Sequence, residues 1–233
     1  MNEMKKRIAA GLSAYGLPED RAELLAEYGR LLLEKNEVMN LTAITEIDGV
    51  CDLHFLDSAF LATRWDLADK SLVDVGTGAG FPGLVLKILE PSLKLTLLDG
   101  LQKRLSWLHE LCEALGIKGV NFLHIRAEEG GNEEDYRDKF DFATARAVAN
   151  MSTLSELCLP YVKVGGTFLA MKSTECGDEI CAAEHIVRKL GGSLSTSVDY
   201  RIPGTEIYHR IVPVEKLAET PMGFPRRWAK IKV

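Results

Sequence analysis

Asp74-Val75-Gly76-Thr77-Gly78-Ala79-Gly80-Phe81-Pro82-Gly83 follows the short apolar run SLVDV (71–75) and leads into an amphipathic segment. Strand, glycine turn and helix in that order open a nucleotide-binding α/β unit. Glycine lets the chain turn sharply and approach a ligand with no Cβ in the way. A nicotinamide-binding fingerprint reads G-x-G-x-x-G. Here the glycines fall as G-x-G-x-G and Phe81 takes the place of the third, which counts against an oxidoreductase. The bland alternative is a turn that binds nothing, but three alternating glycines are costly in chain entropy unless something uses them.

Downstream, short apolar runs alternate with amphipathic stretches: LKLTLLD (93–99), a helix from about Gln102, VNFLHI (120–125), FDFATA (140–145), a helix after Asn150, and GTFLAMK (166–172). Such alternation predicts parallel strands joined by right-handed crossovers, a Rossmann-like doubly wound α/β sheet. LSTSVDYRI (194–202) and EIYHRIVPV (206–214), around Pro203-Gly204, read as a terminal strand pair and bring the sheet to seven strands. Upstream the period is helical. Ile8, Leu12 and Tyr15 share a face, and Leu17-Pro18-Glu19-Asp20 opens a second helix through Leu33, with Pro18 at its first position. Asn40-Leu41-Thr42 breaks the pattern, and Glu46 to about Trp65 predicts a third helix. Residues 1–65 therefore read as an N-terminal helical cap, and residues 66–233 as the α/β domain with a basic C-terminal tail.

Asp99 closes the second strand, where an acid in nucleotide-binding folds takes ribose hydroxyls; its alternative is an N-cap for the helix near Gln102. Ala127-Glu128 follows the third strand and Arg146 the fourth. Singly, Glu128 reads equally as a solvated carboxylate and Arg146 as an ion-pair partner. Together these positions line the carboxyl edge of the sheet, where open α/β folds bind ligands.

Composition sets outer limits. The 233 residues, 46% hydrophobic and 27% charged, suit one main core plus an appended segment. No apolar run is long enough to span a bilayer, and charges run through MNEMKKRIAAGLSAYG, so neither a membrane span nor a secretory signal is expected; the expectation is a cytoplasmic chain. Cys51, Cys112, Cys158, Cys176 and Cys181 include no CxxC pair, which points to reduced thiols packed as small apolar residues and to no metal site. Net charge is −6 from 28 basic and 34 acidic residues, against a surface that is basic throughout. Arg226, Arg227, Lys230 and Lys232 nevertheless share an acid-free end, while residues 128–141 hold seven acids. That end reads as a basic contact patch or as a solvated tail.

Asn40-Leu41-Thr42, His54 with Asp57-Ser58, Asp74 to Gly83, Leu98-Asp99 with Lys103-Arg104, Arg126-Ala127-Glu128, Ala145-Arg146-Ala147, Lys172, and Pro221 with Phe224-Pro225-Arg226 occur in order over nearly the whole chain. On these residues the chain resembles the small-subunit ribosomal RNA methyltransferase G family. The resemblance implies a class I S-adenosylmethionine (SAM) methyltransferase that methylates N7 of a specific guanine in 16S ribosomal RNA, as naked RNA or in the small ribosomal subunit. It also implies that Gly76, Gly78 and Phe81 line the methionine end of SAM, Asp99 the ribose, Ala127-Glu128 the adenine edge, and Arg146 the boundary between cofactor and RNA. Two positions depart from the family pattern: Ser173 replaces the glycine after the lysine, and Trp228-Ala229 replaces the glycine after the Pro-Arg pair.

Methyl transfer from a sulfonium is an in-line displacement with its leaving group built in, so positioning dominates. Guanine N7 carries a free in-plane lone pair, consistent with the lack of an Asp/His base beside the glycine loop. Arg146 is the candidate catalytic residue, holding O6 of a base presented edge-on, or a phosphate. Lys103, Arg104, Lys172, Arg226 and Arg227 are candidates for phosphate contacts. His54 and Asp57 read as structural or lid residues of the cap. The chain is expected to act as a monomer. Three alternatives stay open: a SAM-dependent small-molecule methyltransferase, which needs no basic tail; an NAD-dependent oxidoreductase; and a non-catalytic RNA-binding module on the same fold.

Overall fold

The computed structural model describes residues 2–146 and 148–231, so Ala147 of the Ala-Arg-Ala motif and Lys232 of the basic end lie outside the described residues. Helices α1 (Asn2–Ala14) and α2 (Ala22–Met39) come first. Next, α3 (Ile47–Val50) runs through a π-helical stretch, Cys51–Leu56, into α4 (Asp57–Ala59). The α/β series follows: β1 (Ser71–Val75), α5 (Gly83–Leu89), β2 (Lys94–Asp99), α6 (Gln102–Leu115), β3 (Val120–His124), α7 (Ala127–Gly130), β4 (Phe140–Arg146), α8 (Met151–Cys158), β5 (Val162–Ser173) and α9 (Gly177–Lys189). Three strands, β6 (Gly192–Leu194), β7 (Val198–Arg201) and β8 (Tyr208–Lys216), precede the short α10 (Trp228–Ile231).

The sheet runs β3-β2-β1-β4-β5-β8-β6, and β7 also pairs with β8. β1 through β5 are parallel, and β8 is antiparallel to β5. The chain winds outward from β1 to β3, then returns to place β4 on the other side of β1. That reversal opens a crevice above the carboxyl ends of β1 and β4, the place where such sheets bind ligands.

Among the described residues the expected seven strands are eight, because the run 194–202 is broken into two. β6 pairs with Val214–Lys216 and β7 with Tyr208–Ile211, along the edge of β8 that β5 leaves open. Between them Ser195 donates to the Pro213 carbonyl. Pro213 has no N–H to return, so the ladder lapses there. Other local departures have similar causes. Pro18 precedes a 3-10 turn, Glu19–Arg21, and is not itself the first helical residue. α2 continues past Leu33 to Met39, stopping where Asn40 turns left-handed (φ 48°). α9 is an element the hydrophobic pattern left unread: only Ala183 and Val187 on it are buried.

Apolar packing lies on both faces of the sheet, as a doubly wound architecture demands, in place of the one main core expected. On one face Leu25, Tyr28 and Leu32 of α2 join Leu84 of α5 and Leu108 of α6; all are fully buried. At about 1.5–3 kcal/mol for each large apolar side chain buried, the cap shares the core of the domain it covers. The other face holds α8, α9 and Ile231 of α10. Four cysteines are buried as expected, but Cys181 is exposed on the outer side of α9.

Candidate functional site

Beyond Val75 the chain turns at once: the Gly76 and Thr77 amides both donate to the Leu98 carbonyl, at 2.9 and 3.0 Å. Gly76, Gly78 and Gly80 have φ of 71°, 58° and 95°, in the left-handed region that other residues avoid. At Gly80 the demand is also steric, since a Cβ would lie 2.5 Å from the Tyr28 hydroxyl oxygen. Tyr28 donates to the Ala79 carbonyl. The third alternating glycine thus serves the cap helix α2.

Phe81 explains the missing fingerprint glycine. Its ring, 5% exposed, stacks on Tyr28 (centroids 5.2 Å, interplanar angle 3°) and on His54 (4.5 Å, 16°). The Arg146 guanidinium carbon lies 5.2 Å from the ring centroid. Before the loop, Asp74 is fully buried; its Oδ2 accepts from Thr77 Oγ1 (2.7 Å) and the Gly83 amide (2.9 Å), while Oδ1 has no partner among the described residues. Burial pushes its carboxyl up to about 6 against the pull of those hydrogen bonds.

Asp99 ends β2 with its carboxylate preset: Oδ2 accepts from the Gly78 amide at 3.1 Å and Oδ1 from the Leu101 amide at 2.9 Å. Arg104 Nη1 adds a 3.3 Å contact to Oδ2. Asp99 thus braces the glycine loop and the entry to α6, while Leu101 holds the N-cap position.

Arg146 is the centre of a network that joins the cap to the sheet. Its Nη1 donates to the Leu53 carbonyl (2.6 Å) and to Asp57 Oδ2 (2.9 Å), and its Nη2 lies 3.1 Å from His54 Nδ1. Arginine only donates, so His54 Nδ1 accepts and its proton sits on Nε2, which is 2.8 Å from Thr42 Oγ1. Burial and the Arg146 charge push His54 down to about 4. Asp57 Oδ1 accepts from Tyr200 Oη and from His209 Nδ1, both at 2.6 Å. Burial alone raises the Asp57 carboxyl, but His209, Arg146 and Tyr200 outweigh it and hold it below the ordinary value. The bond to Asp57 in turn raises His209, against partial burial.

One cleft of about 900 Å³ gathers these groups: Gly76, Gly78, Phe81, Asp99, Ala127, Glu128 and Arg146 all line it. His54 and Asp57, read from sequence as structural or lid residues, line it too, as do Thr42 of the Asn40-Leu41-Thr42 motif and His209, which sequence reasoning passed over. The candidate phosphate ligands divide. Arg104 and Lys172 line the cleft, Arg104 against Asp99 and Lys172 held by Glu179 (2.6 Å) and the Ala149 carbonyl (3.2 Å). Lys103 and Arg227 are exposed. Arg226 is not part of a solvated tail: its guanidinium spans both oxygens of the buried Glu156, with Nη2 at 2.7 Å and Nε at 2.8 Å.

Comparison with known proteins supplies the family. A family model described as rRNA small subunit methyltransferase G matches residues 21–201. A protein of Alkaliphilus metalliredigens named ribosomal RNA small subunit methyltransferase G is 44% identical over 91% of this chain and 90% of its own length. One of the same name from Alkaliphilus oremlandii is 41% identical over 98% of this chain and 97% of its own. Among solved structures, a SAM-dependent O-methyltransferase from Thermotoga maritima shares the fold, with a TM-score of 0.53 at 16% identity, covering 82% of this chain and 73% of that one. The order of motifs along the sequence, the sheet that carries them and relatives matched over nearly their full length agree: this chain belongs to the rRNA small subunit methyltransferase G family.

Proposed function

We propose that the chain transfers the methyl group of SAM to N7 of one guanine in 16S ribosomal RNA. Membership of the family makes it a SAM-dependent rRNA methyltransferase, which favours an RNA acceptor over a small molecule. One observation carries the site assignment: residues from the carboxyl ends of β1, β2, β3 and β4 converge on a single cleft at the point where strand order reverses. The residues fit the cofactor. A cleft of about 900 Å³ is at the upper end of cofactor sites, roughly 300–1,000 Å³, and the Asp99 carboxylate is fixed before any ligand arrives.

In this assignment Gly76, Gly78 and Phe81 hold the methionine end, Asp99 the ribose, and Ala127 with Glu128 the adenine edge. When bound, SAM supplies an activated methyl and its own leaving group. The protein's task is then to align N7, whose lone pair needs no base to free it. Arg146 orients the guanine at the boundary, its guanidinium fixed by Leu53, Asp57 and His54. His54 is no proton acceptor here, because both ring nitrogens are already engaged.

Arg227 and Lys103 are the exposed candidates for phosphate contact, and Lys172 addresses RNA from the cleft wall. We take the chain to work as a monomer in the cytoplasm, where ribosomal substrate is found, with no metal in the chemistry. Among the described residues no helix is long and apolar enough to cross a membrane. Transfer of labelled methyl from SAM to unmodified 16S RNA and to small subunits, followed by nucleoside analysis, tests the assignment. A single 7-methylguanosine is expected. Transfer to a different atom, or only to small molecules, would refute it.

A further inference from the structure

We propose that Trp228 supplies an aromatic wall on which the adenine ring of SAM stacks. The proposal rests on the cofactor site described above and adds a ligand-facing residue to it. Trp228-Ala229 stands in place of the glycine that the family pattern has after the Pro-Arg pair.

The segment that carries Trp228 is firmly anchored. Arg137 Nη1 donates to the Gly131 and Phe224 carbonyls (2.8 and 2.6 Å), and its Nη2 to those of Thr220 and Pro221 (2.6 and 3.1 Å). Asn132 Nδ2 bridges the Glu128 carbonyl (2.8 Å) and the Pro225 carbonyl (3.0 Å). Glu156 of α8 accepts from both the backbone amide and the guanidinium of Arg226. Beyond Trp228, Ile231 is buried at 6% exposure in the core beside α8 and α9. An indole between two fixed points cannot wander far.

The anchors also say which part of the cleft it serves. Asn132, Arg137 and Gly131 lie in the acidic connection that begins at Ala127-Glu128, and Glu156 adjoins Leu157, which lines the cleft. Trp228 therefore reaches the cleft from the side of Ala127 and Glu128, the adenine edge of the proposed site. It lines the cleft and keeps 38% of its surface exposed. A lone exposed aromatic is unremarkable on a protein surface. One held at the rim of a nucleoside-sized cleft, beside the residues assigned to a purine, puts an indole within reach of a flat ring.

S-adenosylhomocysteine is the probe, titrated into the full chain and its Trp228→Phe and Trp228→Ala variants by calorimetry and by tryptophan emission. The wild type should show quenching on saturation. Trp228→Phe should lose most of that change yet bind within about threefold, since a phenyl ring still stacks. Trp228→Ala should bind about 5- to 150-fold more weakly, the range of one ring–base stack. Wild-type affinity in Trp228→Ala overturns the proposal alone; if its KM for RNA rises instead, the ring serves the RNA. A wild-type chain that binds no S-adenosylhomocysteine overturns the cofactor site and this proposal together.

Discussion

Replacing Asp57 by Asn removes one negative charge and introduces an amide donor at the point where cap, β7, β8 and Arg146 meet. Asp57 is 1% exposed and accepts from Arg146, Tyr200 and His209. Taking one partner out of a buried ion pair costs about 3–5 kcal/mol, because the remaining charge is left uncompensated. His209 retains some access to water, its side chain being 29% exposed, and an amide oxygen can still accept one bond, so we expect the low end, about 3 kcal/mol. That is roughly a hundredfold in the folding equilibrium. Urea unfolding at pH 7 measures it, and its pH dependence adds a sign test. A carboxyl held low in the folded state stabilises above its unfolded pKa, about 3.9, and that contribution is lost as pH falls through the folded value. A histidine held high stabilises below about 6.5 and loses that contribution as pH rises through its folded value. Wild-type stability should therefore decline on both the acid and the alkaline side, and Asp57→Asn should flatten both declines. A loss under about 1 kcal/mol with an unchanged pH profile would refute the network.

Arg226→Ala strands Glu156, whose side chain is 1% exposed, and should cost about 3 kcal/mol; Arg227→Ala should stay within about 0.5 kcal/mol while lowering the slope of RNA affinity against salt by about one. Equal melting temperatures for the two variants would dissolve the distinction between an anchored Arg226 and an exposed Arg227. Gly80→Ala should destabilise by about 1–3 kcal/mol, from positive φ and the clash with Tyr28, and Tyr28→Phe should relieve part of that cost; a double-mutant cycle with no coupling would show that the hydroxyl is irrelevant. Asp74→Asn should stabilise the unliganded chain at pH 7. The Asp74 carboxyl, raised to about 6, contributes stability below about pH 3.9 and loses it as pH rises through the folded value, on the order of 3 kcal/mol in all. A variant that kept the wild-type slope between about pH 4 and 6 would contradict this.

The fold could be read because its signals are local. Each strand of the parallel series is a short apolar run, and the crossovers after β1, β2 and β4 have their own amphipathic stretches. The reading failed where a cause lay on a neighbouring strand, as when Pro213 of β8 divides β6 from β7. The site follows the same rule. Gly76, Gly78, Asp99 and Glu128 sit in compact motifs whose spacing implies their placement. Asp57 finds Arg146 across 89 positions and His209 across 152, and nothing in any single stretch announces such a meeting. His54 alone in a helix looks like a packed histidine until the chain brings Arg146 to one ring nitrogen and Thr42 to the other. Arg226 looks like a solvated cation because Glu156 is 70 positions away.

The departure at Phe81 and the presence of the cap have one physical origin. In a dinucleotide loop the third glycine lets the helix pack tightly on the strand. Here that position carries a ring that needs partners, and Tyr28 and His54 of the cap provide them. Once stacked, the ring ties the glycine loop to the helices that hold Arg146 through Leu53, Asp57 and His54. Under the proposed assignment the cap is part of the wall that sets where an acceptor stands relative to the loop. For an acceptor atom with no proton to lose, distance and angle are most of what a protein can contribute. A wall built from stacked rings and a shared buried carboxylate suits that task better than a group that must gain and lose a proton in each turnover.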